Sequence, residues 1–304
     1  MRATTLSESH CDIKCRNATT PTAERFRKPS VRGYRTRGIT MSNQRVVEVV
    51  EDLERLMLDF VRKHHITHAE YRAATDLIVA EVKAGEESLL LDVFLEAEAT
   101  DVENESNSGS TLAIEGSFYL PGAPEVTGPA ATMPHRPDEA GDALIFRGTV
   151  SGADGKPLAG AELDIWHADA EGLYSNIHPG IPDWNLRGRI KTDADGRFAV
   201  RTIVPPPYEI PKDGPTGIVL NALGRHFFRP AHIHLKLRHD GYVEHTSQLY
   251  FEGDEYLDND VANAVRDGLV LRIESGEDAE LAQRFGIAGT FNTATYDFVL
   301  VEEK

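Results

Sequence analysis

Residues 188–204 read GRIKTDADGRFAVRTIV. Two runs in which apolar and polar residues alternate flank Thr192–Gly196, TDADG, and alternation of period two is the mark of a strand with one buried face. Asp-Gly at the reversal is a strong hairpin signal, so the spacing predicts two strands folded back on one another. Working outward, ALIFRGTV (143–150), AELDIWHA (161–168), AHIHLKL (231–237), HTSQLYF (245–251) and TYDFVLV (295–301) read as further strands between Gly, Pro and Asp turns. Many short strands of this kind predict an antiparallel β-sandwich. One helix is expected near Asp258–Leu269, with Asp258 as its cap.

The preceding stretch has a different texture. Apolar residues recur at Val46, Val49/Val50, Leu53, Leu56/Met57 and Phe60/Val61, the period of a helix with an acidic opposite face. A second helix is expected from Thr67, where Thr67 and Glu70 have capping-box spacing, to Gly85. A third follows in SLLLDVFLEAEA (88–99). The expected class is therefore mostly β with α. Residues 41–110 form a helical N-terminal unit whose surplus apolar faces suit dimerisation, and 111–304 form the sandwich.

Residues 1–40 stand apart. They hold nine basic side chains against three acidic ones, in a chain of 304 residues whose net charge is −17. Low hydrophobicity predicts disorder, and Met41 reads as a natural chain start, making the tail an upstream-start artefact or a dispensable extension. A transit peptide is the alternative reading. Cys11 and Cys15, the two cysteines of the chain, both lie in this tail. A disulfide framework is thus not expected in the body, which suits the cytoplasm. The negative charge disfavours nucleic acid, and no run of about 18 apolar residues marks a membrane span.

The chemistry concentrates in residues 174–234. His232 and His234 alternate on a strand and so share a face. Tyr174 (GLYSN) and Tyr208 (PPPYEIPKDGP) sit in turn-rich phrases. A phenol titrates near pH ~10, and only a strongly Lewis-acidic metal holds it ionised at neutral pH. Two Tyr with two His point to Fe(III) rather than zinc. The remaining tyrosines, Tyr119, Tyr242, Tyr250, Tyr256 and Tyr296, read as packing residues.

The phrases WHADAEGLYS, YEIPKDGP, GRHFFRPAHIH and TSQLYFEGD, with LLLDVFLE, AIEGSFYLPGAPE and PGIPDWNLRG, resemble the intradiol ring-cleavage dioxygenases, the catechol 1,2-dioxygenase family. The resemblance runs from about Ala84 to Leu271. It implies one non-haem Fe(III) per subunit held by Tyr174, Tyr208, His232 and His234. It implies that a catechol chelates this ion, that Tyr208 departs and accepts a proton, and that O2 opens the ring between the hydroxyls to give a cis,cis-muconate. Arg229 would stabilise charge on the ring and Gln248 would steer the oxygen species. By position Leu89, Asp92, Val93, Ile114, Gly116, Phe118, Ile210, Pro211 and Ala262 would line the pocket. Asp92 beside Val93 resembles the chlorocatechol and hydroxyquinol branches, whereas Glu115 and Ala262 resemble the plain catechol branch. Ser117 departs from a proline common in the family. A homodimer through the N-terminal helices, with lipid at the interface, is also implied. Two other classes remain open: a non-catalytic transthyretin-like sandwich, suggested by DGKPLAGAELDIW, and a hydrolase using the two His and a carboxylate.

Overall fold

A computed structural model of the chain describes residues 43–86, 89, 93–128, 130–276 and 278–303. The basic tail lies outside them. The chain divides into two compact units at Ile66/Thr67. The first holds α1 (Asn43–Lys63), whose valines, leucines and Phe60 follow the helical period, with Arg62 and Lys63 in its last turn.

The second unit opens with α2 (His68–Ala84). Its start is fixed by the expected capping box, in which the Thr67 side chain accepts from Glu70 N–H while Glu70 returns a bond to the Thr67 backbone. Gly85, at φ 73°, closes it in the left-handed conformation. After α3 (Val93–Asn104) the chain builds two five-stranded sheets. One contains β1 (Ala143–Gly152), β4 (Arg197–Ile203), β10 (Glu274–Gly276), β11 (Phe291–Thr295) and β12 (Phe298–Leu300). The other runs in the order β3 (Arg187–Lys191), β2 (Glu162–Trp166), β7 (His232–Arg238), β8 (His245–Phe251), β9 (Val270–Leu271). Between them Leu144, Phe146, Val200 and Phe298 of the first sheet meet Leu163, Ile165, Ile233, Leu235 and Leu249 of the second in one core. This is the sandwich that the alternating runs predict. Pairing is mainly antiparallel, but β1 runs parallel to both β11 and β12, and β8 to β9.

The 188–204 stretch corrects one expectation. TDADG does reverse the chain: Asp193 Oδ1 accepts from the N–H groups of Asp195 and Arg197, and Gly196 takes φ 71°. Its flanking strands do not pair with each other. β3 joins β2, whereas β4 pairs with β1 along residues 143–149. Ile190 on one side and Phe198 and Val200 on the other all enter the common core, so the turn crosses from sheet to sheet.

The helix expected at Asp258–Leu269 is not formed. Asp260 bends its carboxylate back to the N–H groups of Ala262 and Ala264, a local bond that competes with helix, and Asn263 adopts φ 50°. Two short helices appear instead: α4 (Pro215–Ala222), started by Pro215, and α5 (Ala279–Phe285), capped by Asp278. A two-strand ladder of β5 (Tyr208–Glu209) and β6 (Phe228–Arg229) completes the unit.

Candidate metal centre

With Leu163, Ile165, Ile233 and Leu235 in the core, their alternating neighbours take the outer face of the second sheet. Gln248 of β8 stands opposite His234 of β7, His234 opposite Trp166 of β2, and Trp166 opposite Arg187 of β3. Directly opposed residues share a face, so these four form a single row across the sheet. In the adjacent row His232 faces Tyr250. Trp166 stacks on His234 with ring centroids 4.7 Å apart and planes 11° from parallel.

The tyrosines arrive on turns. Asp169 Oδ1 accepts from Glu171 and Leu173 N–H, closing the turn that delivers Tyr174. Gly172 lies at φ 82°, and a Cβ there would sit 2.9 Å from Tyr208 Cβ. That glycine lets the two tyrosine-bearing segments touch. Tyr208 enters after three prolines and pairs with Arg229 in the β5–β6 ladder.

The four side chains converge. Tyr174 Oη is 3.2 Å from His234 Nε2, and the two histidine Nε2 atoms are 3.0 Å apart. The Tyr174 and Tyr208 rings meet edge-on at 5.4 Å, and Tyr208 lies 5.5 Å from the His232 ring. All four are buried, and Tyr208 Oη makes no close hydrogen bond among the described residues.

The tautomers follow from the Nδ1 contacts. His232 Nδ1 lies 2.7 Å from Pro230 O and His234 Nδ1 lies 3.1 Å from Glu115 O. A carbonyl only accepts, so both Nδ1 atoms carry the proton. Each Nε2 then presents a lone pair, and the two point at one another across 3.0 Å. Lone pairs so placed repel unless a cation lies among them. Burial, with Arg229 for His232 and His232 for His234 next, pushes both imidazoles well below their usual titration range, which keeps them neutral. Burial likewise raises both phenols. The donor set thus fits a metal of strong Lewis acidity. Among the described residues no group of three or more His, Cys, Asp or Glu is placed to hold a metal, so a metal bound by these histidines would need the tyrosines as further donors. That observation removes the reading of two His with a carboxylate.

Arg229 is fully buried and makes a two-pronged ion pair with Asp260, at 3.1 Å from Nε to Oδ1 and from Nη2 to Oδ2. Its Nη2 also donates to Gln248 Oε1 and Tyr250 Oη, and Nη1 lies 3.3 Å from His232 Nε2. Burial opposes its charge, but Asp260 and the nearby Tyr250 and Tyr208 raise it well above its ordinary value. Gln248 Nε2 donates to Ile114 O, and its Oε1 also accepts from Tyr250.

The expected pocket residues divide. Gly116 sits against Gln248, His234 and Arg229, and a Cβ there would fall 2.6 Å from Gln248 Nε2. Phe118 packs 4.8 Å from the Tyr174 ring, and Ile210 clusters with both tyrosines. Ile114 and Ala262 are buried together with Ala97 and Ala264. Pro211 is exposed and Leu89 half-buried. Val93 opens α3, and Asp92 lies outside the described residues. Asp260, Tyr250, Trp166 and Arg187 were not anticipated from sequence. Of these only Asp260 had a readable signal, its nearness to Ala262.

Comparison with known proteins bears on the same residues. A family model described as the catechol dioxygenase N terminus matches residues 43–111, and one described as dioxygenase matches 114–302. A chlorocatechol 1,2-dioxygenase of Rhodococcus opacus is 44% identical over 235 residues, 77% of this chain and 91% of its own. A catechol 1,2-dioxygenase of Acinetobacter baylyi is 36% identical over 272 residues, 85% and 86% of the two chains. The crystal structure of 3-chlorocatechol 1,2-dioxygenase from Rhodococcus opacus 1CP superposes with a TM-score of 0.78 at 43% identity, over 86% of this chain and all of that one. The chain belongs to the intradiol ring-cleavage dioxygenase family, oxidoreductases that are generally dependent on non-haem iron. No helix among the described residues is long and apolar enough to cross a membrane.

Proposed function

We propose that this chain cleaves catechol or a substituted catechol between its two hydroxyls, using O2 and one Fe(III) held by Tyr174, Tyr208, His232 and His234. The observation that carries this reading is the buried pair of facing Nε2 lone pairs, 3.0 Å apart, with two phenols against them. When bound, the ferric ion supplies Lewis acidity and a template for the two catechol oxygens.

The protein's own groups do the rest. Tyr208, ionised in its role as a ligand, is the base able to take up a catechol proton, and its Oη makes no close hydrogen bond among the described residues. Tyr174 keeps its place through its segment, which Arg187 holds at Ser175. Arg229, immobilised by Asp260, Gln248 and Tyr250, offers a fixed positive charge to the ring carbon on which negative charge develops. A cation already held in place, away from water, does this without reorganisation. Gly116 packs so closely on Gln248 and His234 that a Cβ there would strike Gln248 Nε2 at 2.6 Å, and Phe118 and Ile210 are apolar neighbours of the two tyrosines.

Resemblance to a chlorocatechol 1,2-dioxygenase at 44% identity supports a substituted ring, and resemblance to a solved hydroxyquinol 1,2-dioxygenase makes hydroxyquinol the alternative substrate. One methyl or chlorine shifts pocket discrimination by only ~1–3 kcal/mol. A kcat/KM panel of catechol, methylcatechols, chlorocatechols and hydroxyquinol decides among them. Iron content and the visible spectrum test the core of the reading. We expect about one iron per chain and a red tyrosinate-to-Fe(III) band; an active, colourless, iron-free protein would sink it.

A further inference from the structure

Arg187 is a second buried guanidinium beside the candidate centre, and Asp164 acts on it only from beyond ion-pair distance. It is 1% exposed, and among the described residues no carboxylate lies within ion-pair distance of it. Its Nη1 donates to Phe118 O at 2.6 Å, and its Nε donates to Ser175 Oγ and Ser175 O at 3.1 and 3.3 Å. Nη2 is buried and donates to nothing. Burial lowers its pKa to about 10, so it stays protonated at neutral pH. Its Cζ lies 5.8 Å from the centroid of the Tyr174 ring.

Three consequences follow from those contacts. The side chain clasps two segments, that of Phe118 and that of Tyr174–Ser175, which otherwise come from distant parts of the sequence. Its position is fixed from the sheet side by its place opposite Trp166, which stacks on His234. And an unpaired buried cation is costly, which an adjacent phenolate relieves. A guanidinium held near a phenolate lowers the energy of the oxygen's donor electrons.

We infer that Arg187 is a positioning residue for the iron ligand Tyr174, pinning its segment and setting how strongly its phenolate donates to the metal. The inference rests on the proposed Fe(III) reading and deepens it, because it assigns the charge that balances one ligand rather than the ligand itself.

The test compares iron-loaded full-length wild type with Arg187→Gln, Arg187→Lys and Ser175→Ala, each checked for its thermal transition. Arg187→Gln removes the charge but keeps a hydrogen-bonding head. We expect its tyrosinate band to move to longer wavelength and its iron affinity, read by chelator competition, to fall about 10–100-fold, the range for groups that support metal ligands. Arg187→Lys retains the charge and should keep the band closer to the wild-type position. Ser175→Ala, the mildest change, frees the guanidinium and should shift the band the same way by less; it carries the test if Arg187→Gln does not fold. A band that stays at the wild-type wavelength in every folded variant at full iron loading overturns the inference and leaves Arg187 a structural clasp. A wild type with no such band sinks the iron reading itself.

Discussion

Tyr174 and Tyr208 are the same residue type in the same buried cluster, yet their surroundings make them unequal. The segment of Tyr174 is held at Ser175 by Arg187, whereas Tyr208 Oη makes no close hydrogen bond among the described residues. We therefore expect Tyr208→Phe to retain much of the iron while kcat falls about 10²–10⁴-fold, the usual worth of a positioned proton acceptor. Metal analysis alongside turnover checks it, and wild-type turnover would remove Tyr208 from that role. Asp260 is the residue that sequence undervalued most. It neutralises Arg229 in a site where both are at most 4% exposed. Asp260→Asn would leave a buried cation uncompensated and should cost about 3–5 kcal/mol in a denaturant titration, together with most of the activity. The four candidate ligands were legible as a group because each lies in a distinctive phrase, and the fold brings them together. Tyr250, Trp166 and Arg187 were not, since their types also serve ordinary packing. Their importance comes from the register that aligns β8, β7, β2 and β3, which no single segment of sequence displays.

At the scale of elements, turn chemistry proved a surer guide to chain reversal than to strand partnership. TDADG reverses the chain as its residues demand, yet β3 and β4 separate because both send apolar side chains into a core shared by two sheets. The segment from Asp258 has helix-like composition, but Asp260 spends its carboxylate on local N–H groups and on Arg229. Those side-chain bonds override the local helix propensity. α4 shows the converse, an element whose start depends on a distant residue. Gly214 offers no side chain to cap it, and Glu86 Oε2 accepts from Thr216 N–H at 3.0 Å instead. Through Leu220, α4 packs with Trp166, Tyr174 and Tyr208. Glu86→Ala removes both a cap and a negative charge at a helix N-terminus. We expect a loss of about 0.5–2 kcal/mol in equilibrium unfolding. No change in stability would show that backbone geometry alone holds α4.

For the molecule as a whole, the apolar stripe of α1 is exposed and has no partner among the described residues of its own unit, and it suits pairing with a second copy. We expect a dimeric mass by light scattering and a monomeric one after Leu53→Glu with Leu56→Glu, with the iron spectrum kept. A second whole-molecule property is acid sensitivity, and His245 isolates it from the metal centre. It lies on the core side of β8 beside Phe298, 4% exposed, with Nε2 unpartnered. Burial lowers its pKa from 6.5 to about 4. The unfolded chain therefore binds a proton below pH 6.5 that the folded chain refuses until about pH 4. Stability that is complete above 6.5 must then be lost as pH falls through this window, by roughly 3 kcal/mol at most for one such histidine. His167, also buried and lowered to about 4, adds to the same slope. His245→Leu cannot take up the proton and removes a buried group without a partner, so it should be nearly neutral at pH 7. Its loss of stability between pH 6.5 and 4 should be smaller than that of wild type, with His167 and the metal ligands unchanged in both. Urea titrations of the two proteins at pH 7, 6, 5 and 4 measure the difference directly. Parallel curves across that range would mean that His245 is protonated in the fold as readily as outside it.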